Sequence, residues 1–259
     1  MKNKLLKTLA CFTGISAIGS TIAITSTSCG SSSEEKIKAL PDNVYNIENN
    51  VLLGFKDGID LSQYKDTCDT MQIPANVTSI FNYAFYYNQT TTKIPSFIKN
   101  LTFAKGSKCN SIGTYAFPNS FSLISVDFSN CSQLFSINDV AFSECSSINS
   151  IDFSNCTRLS SICSSVFQDC SSLTSVTFSS SLTSIGGNAF LDCLILNDIK
   201  WNLHNEYQTQ INIGSSAFQG ISTTGVVKSL NTSIASSQDL LDWIKTKGSF
   251  PQTGWRTAD

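Results

Sequence analysis

The feature that most constrains the fold is an apolar signature that recurs six times. It reads Ile, three residues, Ala or Val, then Phe, and successive Ile residues are 32, 25, 25, 23 and 28 positions apart. A unit this short cannot bury its own apolar face, so the units have to stack and share one core. The six copies cover residues 80–85, 112–117, 137–142, 162–167, 185–190 and 213–218.

A second signature, apolar–any–apolar, alternates with the first. In four successive repeats the Phe of the first signature lies 11 residues before the end of the second. A triplet with two apolar residues on either side of one outward residue has the alternation of a β-strand. Strands of this kind that stack in register form a parallel sheet. We therefore predict a mainly β solenoid of about six repeats, with the first signature forming the opposite wall. The triplets are residues 71–73, 101–103, 126–128, 151–153, 176–178 and 199–201.

Residues 71–80 and 182–193 resemble the BspA-type leucine-rich repeat. The resemblance extends over about residues 50–222, and we assign the repeats to residues 69–224. Several units lack the family's Pro after the strand and its Gly after the Ile. The resemblance implies a leucine-rich-repeat solenoid and a bacterial or protist surface protein that adheres to host or matrix molecules.

The N-terminus has the pattern of an export signal. Lys2, Lys4 and Lys7 precede an uncharged apolar stretch over residues 8–24, and small residues lead to Cys29. Residues 1–28 resemble a bacterial lipoprotein signal peptide in which Cys29 is lipidated. Ser26 replaces the usual Leu, as in the looser signals of wall-less bacteria. The alternative is a plain signal peptide with a chance Cys. With lipidation, residues 29–39 are a flexible tether and the protein is anchored in the cell membrane, facing outward.

Both ends of the solenoid need caps, because terminal units would expose the core. For the N-terminal cap, residues 40–68, we predict a hairpin that turns at Asp57-Gly58. For the C-terminal cap and tail, residues 225–259, we predict a short helix that starts after a Ser cap at Ser236 or Ser237. Gly248 would end this helix.

Charge and motifs disfavour several functions. Without Lys2, Lys4 and Lys7, the chain has 14 of its 17 basic residues and 19 acidic ones, which gives a net charge of −5. The sequence also lacks the cluster of basic residues that binding to nucleic acid requires. No nucleophile, zinc or nucleotide motif is present, and the one His, His204, lies in an irregular stretch. We expect neither an enzyme nor a cofactor; a hydrolase built from dispersed Asp residues is the least favoured alternative.

Eight cysteines follow the N-terminal segment, and five of them recur at equivalent repeat positions. Cys145, Cys170 and Cys193 each come three residues after a repeat Phe; Cys131 and Cys156 each come three residues after a strand Phe. They should stack one rung apart, about 4.7–4.9 Å. Buried free thiols are the favoured reading; partial disulfides and, least favoured, a metal site remain open.

The candidate ligand site follows from the strand alternation, which turns one set of polar residues outward. A flat polar face of this kind suits an extracellular protein or glycan, although any solvated sheet face is polar. A structural or assembly role is the alternative. The tyrosines at 83, 86 and 87 with Phe121 form a possible second patch or cover the core. The outward residues are Ser125, Asp127 and Ser129; Ser150, Asp152 and Ser154; Ser175, Thr177 and Ser179; and Asp198, Lys200 and Asn202.

Overall fold

The apolar signatures stack as parallel strands in the structure, a computed structural model that describes residues 39–86, 94–202, 211–231, 236–246 and 250–257. The signal segment, Cys29, Tyr87, His204 and Gly248 lie outside these residues. Within the described part the chain is a mainly β solenoid of about seven turns, which confirms the predicted fold class.

The strands predicted from the triplets are confirmed, and they pair in parallel. They are β3 (Thr70–Ile73), β5 (Asn100–Phe103), β7 (Ser125–Asp127), β9 (Ser150–Asp152), β11 (Ser175–Phe178) and β13 (Asp198–Trp201).

The chain continues this side of the solenoid beyond the six predicted strands. β15 (Gly225–Ser229) pairs with β13, and β16 (Trp255–Thr257) pairs with β15, both in parallel. The strands form two sheets, β3-β5-β7 and β9-β11-β13-β15-β16, because the ladder is interrupted between β7 and β9. The predicted tail after the helix therefore contains an ordered strand, β16.

The Ile of the first signature lies in a second sheet. Its six repeat strands have two residues each, with a buried or half-buried Ile after a more exposed polar residue. The strands are β4 (Ser79–Ile80), β6 (Ser111–Ile112), β8 (Ser136–Ile137), β10 (Ser161–Ile162), β12 (Ser184–Ile185) and β14 (Asn212–Ile213).

An antiparallel hairpin begins the second sheet and caps the N-terminal end. Its strands are β1 (Tyr45–Glu48) and β2 (Val51–Phe55), and β2 pairs in parallel with β4. The hairpin is confirmed, but its predicted turn at Asp57-Gly58 is wrong. The chain turns at Asn49-Asn50, whose φ angles of 51° and 64° are both left-handed, as the tight turns of hairpins require. Short 3₁₀ segments flank it at Asp42–Val44 and Leu61–Tyr64.

The C-terminal cap is helix α1 (Ser237–Lys245), as predicted. The Ser236 hydroxyl accepts a hydrogen bond from the Asp239 N–H, and the Asp239 carboxylate accepts one from the Ser236 N–H. The helix packs beside β15 and β16 with Leu240, Leu241 and Ile244 buried. In the described part of the chain, no helix is long and apolar enough to cross a membrane.

The repeat Phe residues form the centre of the core. Phe85, Phe117, Phe142, Phe167, Phe190 and Phe218 are at most 1% exposed. Successive rings lie with centroids 5.1–5.6 Å apart and planes within 16° of parallel. Truncating one such ring to Ala removes about 3–5 kcal/mol of stability. Each turn therefore depends on its neighbours for the packing of its largest side chain.

A column of left-handed residues links the turns beside this stack. The third residue after each signature Ile has a φ between 53° and 62°, and its N–H donates to a carbonyl of the next turn in five cases. Val140 is the least suited member, because a β-branched residue at positive φ is strained. Asn188 tolerates the conformation well. The members are Tyr83, Tyr115, Val140, Ser165, Asn188 and Ser216.

Exchanging the residue types at Val140 and Asn188 tests whether this strain is real. We expect Val140→Asn to raise the free energy of unfolding by about 1 kcal/mol and Asn188→Val to lower it by a similar amount. Both positions are half-buried and have φ near 60°, so each is the control for the other. Urea unfolding followed by circular dichroism measures both; loss of stability in Val140→Asn would contradict the interpretation.

Candidate functional site

Parallel pairing arranges the predicted outward residues in two columns along the solenoid. Ser150, Ser175 and Asp198 are aligned in one column, and Asp152, Thr177 and Lys200 in the other. All six are half-buried or exposed. We call these residues, with the equivalent ones on β7 and β15, the strand face: Ser125, Asp127, Ser150, Asp152, Ser175, Thr177, Asp198, Lys200, Val226 and Lys228.

The strand face extends further than the sequence predicted. Val226 follows Asp198, Lys228 follows Lys200, and Arg256 on β16 follows Val226. The sequence prediction omits these residues because it places residues 225–259 in the C-terminal cap and tail. The alternation of apolar and polar residues in Val226-Val227-Lys228 is the signal that could have identified β15.

Ser125 is part of a hydrogen-bonded chain across the three-stranded sheet. Its hydroxyl donates to Asn100 Oδ1 at 2.7 Å, and the Asn100 amide donates to Thr70 Oγ1 at 3.4 Å. The Thr70 hydroxyl donates in turn to Asp69 Oδ1 at 2.8 Å. The Ser125 hydroxyl therefore stabilises the sheet, and a ligand has to compete with Asn100 for it.

Asp127 and Asp152 each hold the turn that follows their strand. Oδ1 of Asp127 accepts a hydrogen bond from the Ser129 N–H, and Oδ1 of Asp152 accepts one from the Ser154 N–H, both at 2.8 Å. Both side chains are exposed. Each carboxylate thus has a role in the fold and presents fixed negative charge on the strand face.

Lys200 and Asp198 form an ion pair on the strand face. Lys200 Nζ lies 2.8 Å from Asp198 Oδ2, with the side chains 38% and 28% exposed. A solvated pair of this kind contributes only about 0–1 kcal/mol. Lys228, directly across from Lys200 in the register, adds a second positive charge on the next rung.

One outward residue of the prediction is misplaced. Ser179 is fully buried, and its hydroxyl donates to the Leu159 carbonyl at 3.2 Å. It comes after the last β11 residue, Phe178, where the chain has already turned inward. Alternation identifies outward residues only within a strand.

The predicted aromatic patch is resolved into two features. Tyr83 stacks on Tyr115 with centroids 5.3 Å apart, and Tyr86 packs edge-on against both rings. Phe121 instead lines an open cavity of about 410 Å³ with Ile94, Ser96, Lys99 and Ser122.

The cysteine columns are structural hydrogen-bond donors. The thiols of Cys145, Cys170 and Cys193 donate to the carbonyls of Phe117, Phe142 and Phe167, one turn back, at 3.1–3.3 Å. These three cysteines therefore make the same contact on successive turns, as their equivalent repeat positions predict. The eight cysteines of the described residues are free thiols, all buried except the half-buried Cys163.

Burial also makes these thiols unreactive. Loss of hydration raises the pKa of Cys145 and Cys193 from about 9 to about 12. The thiolate is the form that reacts and binds metals, so these side chains are poor nucleophiles at neutral pH. Among the described residues, no group of three or more His, Cys, Asp or Glu could hold a metal ion.

Fold and face together define a leucine-rich-repeat solenoid with a polar strand surface. A model of the BspA type leucine-rich repeat region, in six copies, matches residues 62–197 and 95–224. These matches span more than half of the chain, and the protein belongs to the BspA-type leucine-rich repeat family. A comparison with curated proteins found no match.

The chain is similar to several solved structures, and the first of them, with a TM-score above 0.5, has the same fold. The T. pallidum leucine-rich repeat protein is 20% identical over 74% of this chain and 86% of its own, with a TM-score of 0.51. The pneumococcal vaccine antigen PcpA is 15% identical over 73% of this chain and 61% of its own, with a TM-score of 0.34. A leucine-rich repeat protein from Eubacterium ventriosum is 23% identical over 70% of this chain and 50% of its own, with a TM-score of 0.26.

Thiol titration tests the cysteine interpretation. In a chain carrying Cys11→Ser and Cys29→Ser, we expect at most one thiol, Cys163, to react with an aromatic disulfide reagent in the native protein within minutes. All eight should react after unfolding, since burial and the raised pKa of the others no longer apply. Six or fewer thiols in the unfolded, unreduced chain would instead indicate disulfides, because each disulfide removes two.

Proposed function

We propose that this chain is a surface protein, anchored by a lipid on Cys29, that binds an extracellular protein or glycan through the strand face. The observation that supports this most is the register, which turns Ser150, Asp152, Ser175 and Thr177 into continuous polar columns above a buried core. A stacked solenoid offers an extended, rigid surface, and repeat proteins use such surfaces for binding.

The chemistry of the strand face suits recognition rather than turnover. Hydroxyls, carboxylates and ammonium groups occupy fixed backbone positions, so hydrogen bonds to a ligand need little reordering of the protein. The buried thiols have a raised pKa, which disfavours nucleophilic catalysis by them. Membership of a repeat family is consistent with a non-enzymatic role.

The anchor rests on the sequence alone. Lys2, Lys4 and Lys7, the uncharged stretch at residues 8–24 and the small residues before Cys29 together support processing as a lipoprotein. A lipid there, followed by the polar residues 30–38, would hold the repeats close to the outer face of the membrane.

Binding through the strand face is tested by adding charge to it. We expect Ser150→Lys combined with Ser175→Lys to reduce capture of extracellular-matrix proteins or glycans on an array at least tenfold, because two ammonium groups would crowd adjacent rungs. The matched control is Ser161→Lys with Ser184→Lys, which changes paired serines of the other sheet. Circular dichroism should be unchanged in both; equal binding by the two variants would refute the site.

Lipidation is tested by metabolic labelling in a bacterial host that processes lipoproteins. We expect the wild-type chain and Cys11→Ser to incorporate a labelled palmitate analogue, and Cys29→Ser to incorporate none, because only Cys29 follows the small residues of the cleavage region. Cys11→Ser is the control, since it removes the other N-terminal thiol. Label retained in Cys29→Ser would overturn the anchor.

A further inference from the structure

One column of the strand face carries an ordered pattern of charge. On five consecutive turns it reads Asp127, Asp152, Thr177, Lys200 and Lys228, which is two negative residues, one neutral and two positive. The parallel register aligns the last four directly. Asp127 lies on the preceding turn. Two contacts connect that turn with the turn of Asp152: the Asn149 N–H donates to the Ile124 carbonyl at 3.2 Å, and the ring centroids of Phe128 and Phe153 are 5.0 Å apart. We call these five residues the charge column.

The charge column is complementary to itself when reversed. A two-fold axis along the strand direction at Thr177 brings the strand faces of two copies together with their solenoid axes antiparallel. Asp127 then faces Lys228 of the second copy, Asp152 faces Lys200, and Thr177 faces its own equivalent. This is the self-complementary arrangement of an isologous interface.

The neighbouring column does not oppose this arrangement. The same axis places Ser175 opposite its equivalent, Ser150 opposite Asp198, and Ser125 opposite Val226. No two like charges face each other there. Asp198 faces Ser150 of the second copy, and it shares Lys200 with the facing Asp152 of the second copy, because Asp198 Oδ2 lies 2.8 Å from Lys200 Nζ.

We propose that the strand face pairs with the strand face of a second copy of this chain, antiparallel and centred on Thr177. This inference rests on the proposed use of the strand face for binding and names one partner for it. An acidic polymer would fit only the half with Lys200 and Lys228 and would be repelled by Asp127 and Asp152; a second copy satisfies both halves.

In the isolated chain, Asp127, Asp152 and Lys228 have no ion pair with another described residue, whereas Lys200 is paired with Asp198. Lys200 and Lys228 are direct neighbours in the register, on strands roughly 4.8 Å apart, and Asp127 and Asp152 lie on adjacent turns, so each half carries like charges on neighbouring turns. Within the described part of the chain, the ion pair of Lys200 with Asp198 is the one salt bridge. Pairing gives each half a complementary partner.

The two carboxylates are already positioned for such a contact. Oδ1 of Asp127 and of Asp152 accepts a backbone hydrogen bond from the turn that follows, which fixes the side chain. The second oxygen of each has no hydrogen bond or ion pair to another described residue. Little side-chain entropy is therefore lost when a lysine of the second copy approaches.

The size of the face indicates a weak, salt-sensitive association. Five rungs of up to four residues measure roughly 24 by 13 Å, so two faces bury roughly 600 Å², below the about 1,200–2,000 Å² of stable interfaces. Exposed charge pairs are screened at high ionic strength, where the Debye length falls to about 3 Å at 1 M salt. Anchoring of many copies on one surface would raise their effective concentration.

Cysteine cross-linking at the two-fold axis tests the pairing. In full-length chains that carry Cys11→Ser and Cys29→Ser, we expect Thr177→Cys to form a disulfide-linked dimer under mild oxidation, and 1 M salt to reduce the yield several-fold. The control is Gln72→Cys, which is equally half-buried and lies in the same column four turns from the axis. Equal yields from the two variants would overturn the proposal.

Charge exchange in the Thr177→Cys background gives the second test. Lys200→Glu with Lys228→Glu, and separately Asp127→Lys with Asp152→Lys, should each reduce the dimer yield about tenfold, because every facing pair becomes repulsive. Mixing the two variants should restore a heterodimer, since opposite charges face each other again. Failure of the mixture to restore cross-linking would overturn the pairing of the charge columns.

The two proposals fail in different ways. Cross-linking at position 177 without capture of any matrix protein or glycan would refute the extracellular ligand and support the pairing. Ligand capture that is lost in Ser150→Lys with Ser175→Lys, while Thr177→Cys gives no dimer, would overturn the pairing and leave the binding function standing.

Discussion

Every turn of this solenoid depends on the next turn for both its backbone hydrogen bonds and its core. Val140 N–H donates to the Ser164 carbonyl, Phe142 N–H donates to the Val166 carbonyl, and the Phe142 ring stacks 5.6 Å from Phe167. A unit of about 25 residues has too little interior to bury a Phe alone. Stability is therefore a property of neighbouring pairs of turns, and the hairpin and α1 complete the pairs at the two ends.

Stacking also determines what the surface can do. Because the register is fixed by the core, every outward position becomes a column, and a substitution there changes the surface without changing the packing beneath it. Asp152, Thr177 and Lys200 occupy one column with three different chemistries. The same constraint gives some surface residues two roles, since Asp127 and Asp152 hold turns of the fold and also carry the negative charge of the strand face.

The cysteines illustrate how repetition converts a reactive residue into a structural one. Cys145 donates to the carbonyl of Phe117 from a position with no exposed surface, and Cys170 and Cys193 repeat that contact on the next turns. The environment that makes these thiols good donors to a buried carbonyl also keeps them protonated, because a thiolate there would lose its hydration. Their number reflects the repeat rather than a chemical centre.

The sequence by itself determined the elements that local patterns define: the six triplet strands, the recurrence of Phe and Cys at equivalent positions, a serine cap for α1 at Ser236 or Ser237, and the outward residues within each strand. Tertiary structure decided what depends on distant partners. The hairpin turns at Asn49-Asn50, which lets β2 pair with β4. Ser179 lies inside, where its hydroxyl reaches the Leu159 carbonyl. β15 and β16 extend the sheet because β13 offers a free edge for pairing. The order of negative and positive residues from Asp127 to Lys228 is visible in the sequence. Only the parallel register makes these residues a single column, because strand pairing determines which residues of different turns are neighbours.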